Sequence, residues 1–157
     1  MENPYKPPEA YVADAADVAR GPRPPAVTRA VIAFWVGWVL GLLTLIPGVR
    51  ENVWDNPEVH AGVTLAIATV FGGLSAWLIV MVGHGRNWAR WAWVILVALT
   101  YLLMAADPSG WERQGLVALG VDFATAVLEL YGCYLILTGP GAAWFTGGAR
   151  AAREPMR

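Results

Sequence analysis

Two carboxylates, Asp122 and Glu129, lie within Leu116 to Thr138, an apolar stretch long enough to cross a bilayer as a helix. They are seven residues apart, so at about 3.6 residues per turn they point to the same side of that helix. A charged side chain at membrane depth is costly and normally faces protein or water rather than lipid. Stacked acids of this kind are typical of ion and proton pathways in pumps and carriers.

A helical wheel separates two faces of this stretch. Small and acidic residues share one face, with Thr125 at its edge, and large apolar residues share the other. The first face is predicted to point into a bundle and the second toward lipid. The inward face holds Gly115, Ala118, Asp122, Ala126, Glu129 and Cys133, and the outward face holds Phe123, Val127, Leu128, Tyr131, Tyr134 and Leu135.

The two acids allow three interpretations. Thr64, Thr100 and Tyr101 fall at the depth of Asp122 and could donate hydrogen bonds to it, while the long stem of Arg90 could reach toward Glu129. The first interpretation is a structural role, here called polar glue, in which each acid is protonated or hydrogen-bonded and helps to hold the helices together. Each such hydrogen bond contributes about 1 kcal/mol to stability. The second is a proton- or cation-responsive site, and the third is a pairing with a basic residue of a partner. The predicted site residues are Asp122, Glu129, Thr125, Tyr101 and Thr64.

The composition indicates a membrane protein. Of the 157 residues, 57% are hydrophobic and only 15% are charged, and the mean hydropathy is +0.46, so a soluble domain would lack charged surface. A net charge of -1 without a basic run argues against a nucleic-acid binder. The single cysteine excludes an intramolecular disulfide and a cysteine-based metal site. No catalytic set of residues is evident, so we predict no enzymatic activity, no metal and no cofactor.

The acids must be positioned by the other apolar segments. Four membrane spans are predicted at about 27–47, 59–83, 88–106 and 116–138, and short connections favour an all-α, up-down-up-down four-transmembrane-helix bundle. The proline-rich segment 1–26 is predicted to be a disordered cytoplasmic tail, or alternatively a docking peptide. Segment 139–157 is predicted to be an interfacial anchor followed by a basic cytoplasmic tail.

Small residues and tryptophans predict how these spans pack and sit in the membrane. Glycines four residues apart, and a row of small residues in the second span, let neighbouring backbones approach closely. Tryptophan and arginine belong at the boundary between membrane and water, where arginine can reach phosphates. The predicted packing residues are Gly37, Gly41, Gly72 and Ala76, and the predicted interface anchors are Trp88, Trp91, Arg86, Arg90 and Trp144.

The distribution of positive charge predicts the orientation. With the N-terminus inside, the inner segments hold nine of the 11 lysines and arginines and the outer loops hold two, Arg50 and Arg113. The positive-inside rule therefore predicts cytoplasmic N- and C-termini.

Two short motifs carry a resemblance. The leader reads Asn-Pro-Tyr-x-Pro-Pro over residues 3–8, and the turn after the second span reads Gly-Arg-Asn-Trp-Ala-Arg over residues 85–90. In both, the chain resembles uncharacterised small four-helix inner-membrane proteins of proteobacteria. The resemblance implies a bacterial inner membrane.

Two functions stay open at this stage. The first is a non-enzymatic accessory, assembly or protective membrane protein that acts through helix packing and through its N-terminal tail. The alternative is a small proton- or cation-coupled transporter or channel subunit that uses Asp122 and Glu129. The expected partners are membrane lipid and either another membrane protein or a second copy of the chain, with no nucleic acid.

Overall fold

The computed structural model describes residues 22–45, 61–106 and 115–151, and these ranges hold five helices and no strand. Four of the helices are long and apolar enough to cross a membrane, which confirms the predicted all-helical class and the four candidate spans. The fifth was not predicted. The helices are α1 (Pro25–Leu43), α2 (Ala61–Gly83), α3 (Asn87–Ala106), α4 (Leu116–Leu137) and α5 (Gly139–Ala151).

Several sequence predictions lie outside the described residues. These are the leader up to residue 21, both predicted outer loops at 46–60 and 107–114, and the last six residues. The helix α1 begins at Pro25, two residues before the predicted start of the first span at residue 27, because Pro25 occupies a first-turn position, where a missing N–H costs nothing and a fixed φ suits the helix.

Two glycines with positive φ set the direction of the chain between helices. Gly85 has a φ of 75° in the turn from α2 to α3, and Gly139 has a φ of 51° between α4 and α5. Side chains disfavour this conformation, and glycine adopts it readily. At the second site Thr138 is extended, with φ -120° and ψ 157°, so α4 ends there and the chain restarts at once as α5.

Neighbouring helices run antiparallel, as the contacts between them establish. The indole Nε1 of Trp38 in α1 donates to the carbonyl oxygen of Gly72 in α2 over 3.0 Å. Closer to the start of α1, a Cβ built at Gly83 would lie 3.5 Å from Nη2 of Arg23. Later residues of α1 thus meet earlier residues of α2. We call the end of the bundle that carries residues 84–86 the turn end, and the opposite end the far end.

The four long helices do not pack equally. The most extensive interface joins α1 to α4, and α2 packs against both α1 and α3, whereas α3 and α4 touch sparsely. A seam between α3 and α4 therefore remains open along one side of the bundle.

The buried core lies in the half of the bundle nearer the turn end. Phe34 and Ile79 are completely buried at its centre, and the ring of Phe34 lies 4.9 Å from that of Trp93. Toward the far end little is buried, with Ala118 and Thr44 the exceptions among the described residues. The buried apolar residues of the turn-end half are Val27, Ala30, Ala33, Phe34, Leu78, Ile79, Val82, Ala89, Trp93, Val97, Cys133, Ile136 and Phe145.

Candidate functional site

Glu129 lies on the inward face of α4, where the packed half of the bundle gives way to the open half. Its carboxylate oxygen Oε2 accepts a hydrogen bond of 2.8 Å from the hydroxyl of Tyr101 in α3. This contact crosses the sparsely packed seam between the two helices. A polar pair therefore joins α3 to α4 at a level where few apolar contacts do.

The observed partner of Tyr101 differs from the one predicted from depth, which was Asp122. Side chains of a helix tilt toward its N-terminus. Because α3 and α4 are antiparallel, the Tyr101 side chain leans toward the turn end and that of Glu129 leans toward the far end. The two meet between their Cα levels, which explains why matching Cα depths alone selected the wrong acid.

Four of the five predicted site residues line one cavity. Asp122, Glu129, Tyr101 and Thr125 line a space of about 360 Å³ in the seam between α3 and α4, and Thr44 lines it too. Thr100 also lines it, although its hydroxyl donates to the backbone oxygen of Leu96 in its own helix over 2.9 Å. The side chain of Thr64, the fifth predicted residue, lies outside the part of the chain that the structure describes.

Two further cavities also reach Glu129. One of about 250 Å³ lies among all four long helices and is lined by Trp38, Phe71, Trp93 and Glu129, among others. The other, of about 230 Å³, lies among α2, α3 and α4 and shares Phe71, Trp93 and Glu129 with the first. Glu129 is thus the carboxylate at which three cavities of the described bundle meet.

Unpartnered polar atoms accompany this carboxylate. The indole Nε1 of Trp93 and the hydroxyl Oγ1 of Thr125 are buried and have no hydrogen-bond partner among the described residues. Both residues line the 250 Å³ cavity. Most buried polar groups in proteins are hydrogen-bonded. The two unpaired donors beside Glu129 therefore have hydrogen-bonding capacity that the surrounding helices do not use.

Only some of the predicted packing residues lie where two helices approach closely. A Cβ at Gly37 would lie 3.7 Å from the Glu129 Cγ and from the Thr125 Cγ2, so this glycine brings α1 close to α4. A Cβ at Gly41 would meet nothing within 4 Å. Gly72 accepts the Trp38 hydrogen bond through its backbone, and Ala76 is half-buried on the same helix.

Some of the predicted interface anchors are exposed and others are partly buried. Trp88 and Trp91 are about half exposed, at 48% and 49%, and Arg86 is exposed. Trp144 is partly buried in α5, with its ring 5.2 Å from that of Phe145.

Arg90 differs from the predicted anchor, because it is only 5% exposed. Its guanidinium lies 5.1 Å from the ring centroid of Phe145 and 5.2 Å from that of Trp91. Its Nη1 donates over 3.4 Å to the carbonyl oxygen of Ile136 in the last turn of α4. The helix α5, absent from the sequence prediction, covers the position from which this arginine was expected to reach phosphates or, by its stem, Glu129.

Sequence reasoning found the acids but missed the tryptophans beside them. Trp38 and Trp93 were not among the predicted site residues, since a tryptophan in an apolar helix gives no local sign of what it faces. The signal available was the spacing of Trp38 between Gly37 and Gly41, which places the indole beside the face that packs closely.

The chemistry of the site is that of an acid, a phenol, hydroxyls and indole rings. Among the described residues, no group of three His, Cys, Asp or Glu side chains could hold a metal ion. Compared with known protein families, curated proteins and solved structures, the chain has no significant match.

Proposed function

We propose that the chain is a non-enzymatic multi-pass protein of a bacterial inner membrane that binds a cation or proton at Glu129, as a small carrier or channel subunit. The observation that carries the proposal is the position of Glu129, hydrogen-bonded to Tyr101 at the junction of three cavities. Of the two functions that the sequence left open, this is the one that the surroundings of the acid favour.

The cavities argue against polar glue as the whole role of the acid. Membrane helices are held together mainly by close packing and by hydrogen bonds of about 1 kcal/mol. Open space beside Glu129 means that few atoms pack against it, whereas a residue that only holds helices together would be closely packed. A cation or proton site, in contrast, needs space beside the carboxylate through which its ligand can arrive and leave.

The neighbours of Glu129 give the site its other groups. Asp122 lines the same 360 Å³ cavity, about two turns nearer the far end of α4. Thr125 lies between the two acids on the helix and lines this cavity too. We infer that a proton or cation entering at the far end meets Asp122 first and Glu129 second.

The inner-membrane location and the orientation belong to the same proposal. They are supported by the charge bias and by the resemblance of the leader and turn motifs. Arg23, Arg86 and Arg90 all lie at the turn end of the bundle, close to where α1 and α3 begin. The positive-inside rule then assigns that end to the cytoplasm.

The test is ion flux in liposomes. Purified protein is reconstituted with a pH-sensitive dye inside, and proton uptake is driven by a potassium diffusion potential, with sodium and potassium flux measured in parallel. Wild-type protein should exceed empty vesicles, and Glu129→Gln and Asp122→Asn should each abolish the difference. Tyr131→Phe, on the lipid-facing side at 46% exposure, is the matched control and should keep it.

Two outcomes would contradict the proposal. One is wild-type protein that conducts no more than empty vesicles, and the other is unchanged flux in the correctly folded Glu129→Gln variant. Retained helicity by circular dichroism shows that a variant has folded.

A second candidate function is favoured by the seam itself. The sparse contact between α3 and α4 leaves cavities of about 360 and 120 Å³ along it, and a helix of a partner protein could fill that seam. This is the accessory or assembly role. Cross-linking from Met104, which lines both cavities, should then capture one defined membrane protein, whereas cross-linking to lipid alone would remove the candidate.

A further inference from the structure

The 250 Å³ cavity combines an acid with aromatic rings. Trp38 contributes a ring from α1, Phe71 from α2 and Trp93 from α3, while Glu129 contributes its carboxylate from α4. Four different helices therefore converge on one space. Its volume exceeds the roughly 150 Å³ of an apolar cavity that holds a benzene-sized ligand.

The lining selects a class of cation. Small metal cations prefer a shell of several oxygen ligands, and this cavity offers mainly rings and small apolar residues around one acid. Ammonium groups with apolar substituents are instead attracted to the faces of tryptophan and phenylalanine rings. We propose that this cavity binds a small organic ammonium cation, with Glu129 as counter-ion and Trp38, Phe71 and Trp93 as the surrounding rings. The inference rests on the proposed function and names its substrate class.

A second observation adds a hydrogen-bond donor to the site. Trp93 is only 3% exposed, and its indole N–H has no hydrogen-bond partner among the described residues. A ligand that carries an oxygen near its ammonium group could accept this hydrogen bond. Amino alcohols with an alkylated nitrogen have both features.

The cavity exists because two helices lack side chains there. Gly41 and Gly72 both line it, and a Cβ built at either would meet nothing within 4 Å. Its rim includes Phe71 and Leu42, which are 57% and 37% exposed at the surface of the bundle. The space therefore opens between α1 and α2 on the outer side of the bundle, and a larger residue at Gly41 would fill it without striking the backbone.

The experiment is a calorimetric titration of choline into the purified full-length protein in detergent. Its neutral carbon analogue, 3,3-dimethylbutan-1-ol, has nearly the same shape and should bind at least about tenfold more weakly if charge and rings drive recognition. Gly41→Leu should weaken choline binding by at least about tenfold through filling of the cavity. Phe71→Leu should weaken it by about threefold to tenfold through loss of one ring.

Two matched controls keep the test specific. Gly120→Leu adds the same side chain at a glycine of α4 where a Cβ also meets nothing within 4 Å. Tyr134→Leu removes an aromatic ring that is 63% exposed on the outward face of α4. Both should leave choline affinity at the wild-type value. Equal affinity for choline and its neutral analogue, or an unchanged affinity in folded Gly41→Leu, would overturn the inference.

The wild-type protein separates this inference from the proposed function. Glu129-dependent proton flux without choline binding would overturn the organic cation as ligand and leave the proposed function standing. Choline binding without any flux would overturn the carrier or channel role instead.

Discussion

The hydrogen bond from Tyr101 to Glu129 has a measurable consequence of its own. Tyr101→Phe removes the 2.8 Å contact while keeping the ring, and interhelical hydrogen bonds in membranes contribute about 0.6 to 1 kcal/mol. We expect the free energy of unfolding, measured by SDS titration followed by circular dichroism, to fall by about that amount. Tyr134→Phe is the control, since Tyr134 is 63% exposed, and equal losses in the two variants would contradict the assignment.

At the scale of residues, the sequence predicts which residues line the site better than it predicts which side chains contact each other. Helical periodicity placed Phe123 and Tyr134 correctly on the outward face of α4, where they are exposed at 73% and 63%, but it was wrong for Leu128, whose Cβ lies 3.9 Å from a Cβ built at Gly37 of α1. The pairing of Tyr101 depends on side-chain direction in two antiparallel helices, which a comparison of Cα depths ignores. Trp93 lines the site only because three other helices pack around it, so no local sequence pattern could predict its role.

At the scale of helices, the close approach of α1 to α4 at Phe34 depends on Gly132. A Cβ at Gly132 would lie 2.8 Å from Cδ1 of Phe34 and closer still to its Cε1, and Phe34 is completely buried. Gly132→Ala should therefore lower the free energy of unfolding by about 1 to 3 kcal/mol through overpacking. Adding Phe34→Leu in the same chain should recover part of the loss.

The control for this prediction is Gly120→Ala, because a Cβ there meets nothing within 4 Å. That variant should show no loss of stability in the same SDS titration. If Gly132→Ala and Gly120→Ala behave alike, the close approach of α1 and α4 at Phe34 is refuted. The sequence indicated Gly37 and Gly41 as packing residues, yet nothing in the pattern of α4 distinguished Gly132 from its other small residues.

The docking of α5 gives a second prediction at this scale. Arg90 lies between the rings of Phe145 and Trp91 and donates to Ile136 near the negative end of the α4 dipole. Arg90→Lys keeps the charge but loses the planar group that stacks on the rings. Hydrogen exchange of the α5 amides should then accelerate, by about 5- to 30-fold for a loss of about 1 to 2 kcal/mol.

Arg86→Lys is the matched control, because Arg86 belongs to the same turn and is exposed. Its α5 amides should exchange at the wild-type rate. Acceleration in both variants would mean that losing a guanidinium anywhere in this turn has the same effect, and it would contradict the stacking of Arg90 on Phe145 as the contact that holds α5 in place. The sequence did not predict α5, since glycine and proline at 139–141 are typical of a turn, whereas the structure begins a new helix at these residues.

At the scale of the whole molecule, the uneven packing relates the fold to the proposed site. The buried core occupies the turn-end half, and the cavities around Glu129 begin where this core ends. Hydropathy and charge predicted the four spans, because length and composition determine whether a helix can cross a bilayer. They could not predict the open seam, because the packing of α3 against α4 depends on the shapes of both helices together.

The orientation of this asymmetric bundle is the last prediction. The predicted inner segments hold nine of the 11 lysines and arginines, and Arg23, Arg86 and Arg90 lie at the turn end, so that end should face the cytoplasm. Alkaline phosphatase, active only in the periplasm, should be active when fused after Asn52 or Ser109 and inactive when fused after Gly85 or Gly147. The reverse pattern would invert the protein, placing Asp122 nearer the cytoplasm and reversing the direction in which a cation meets the two acids. Activity at both Asn52 and Gly85 would contradict α2 as a membrane span.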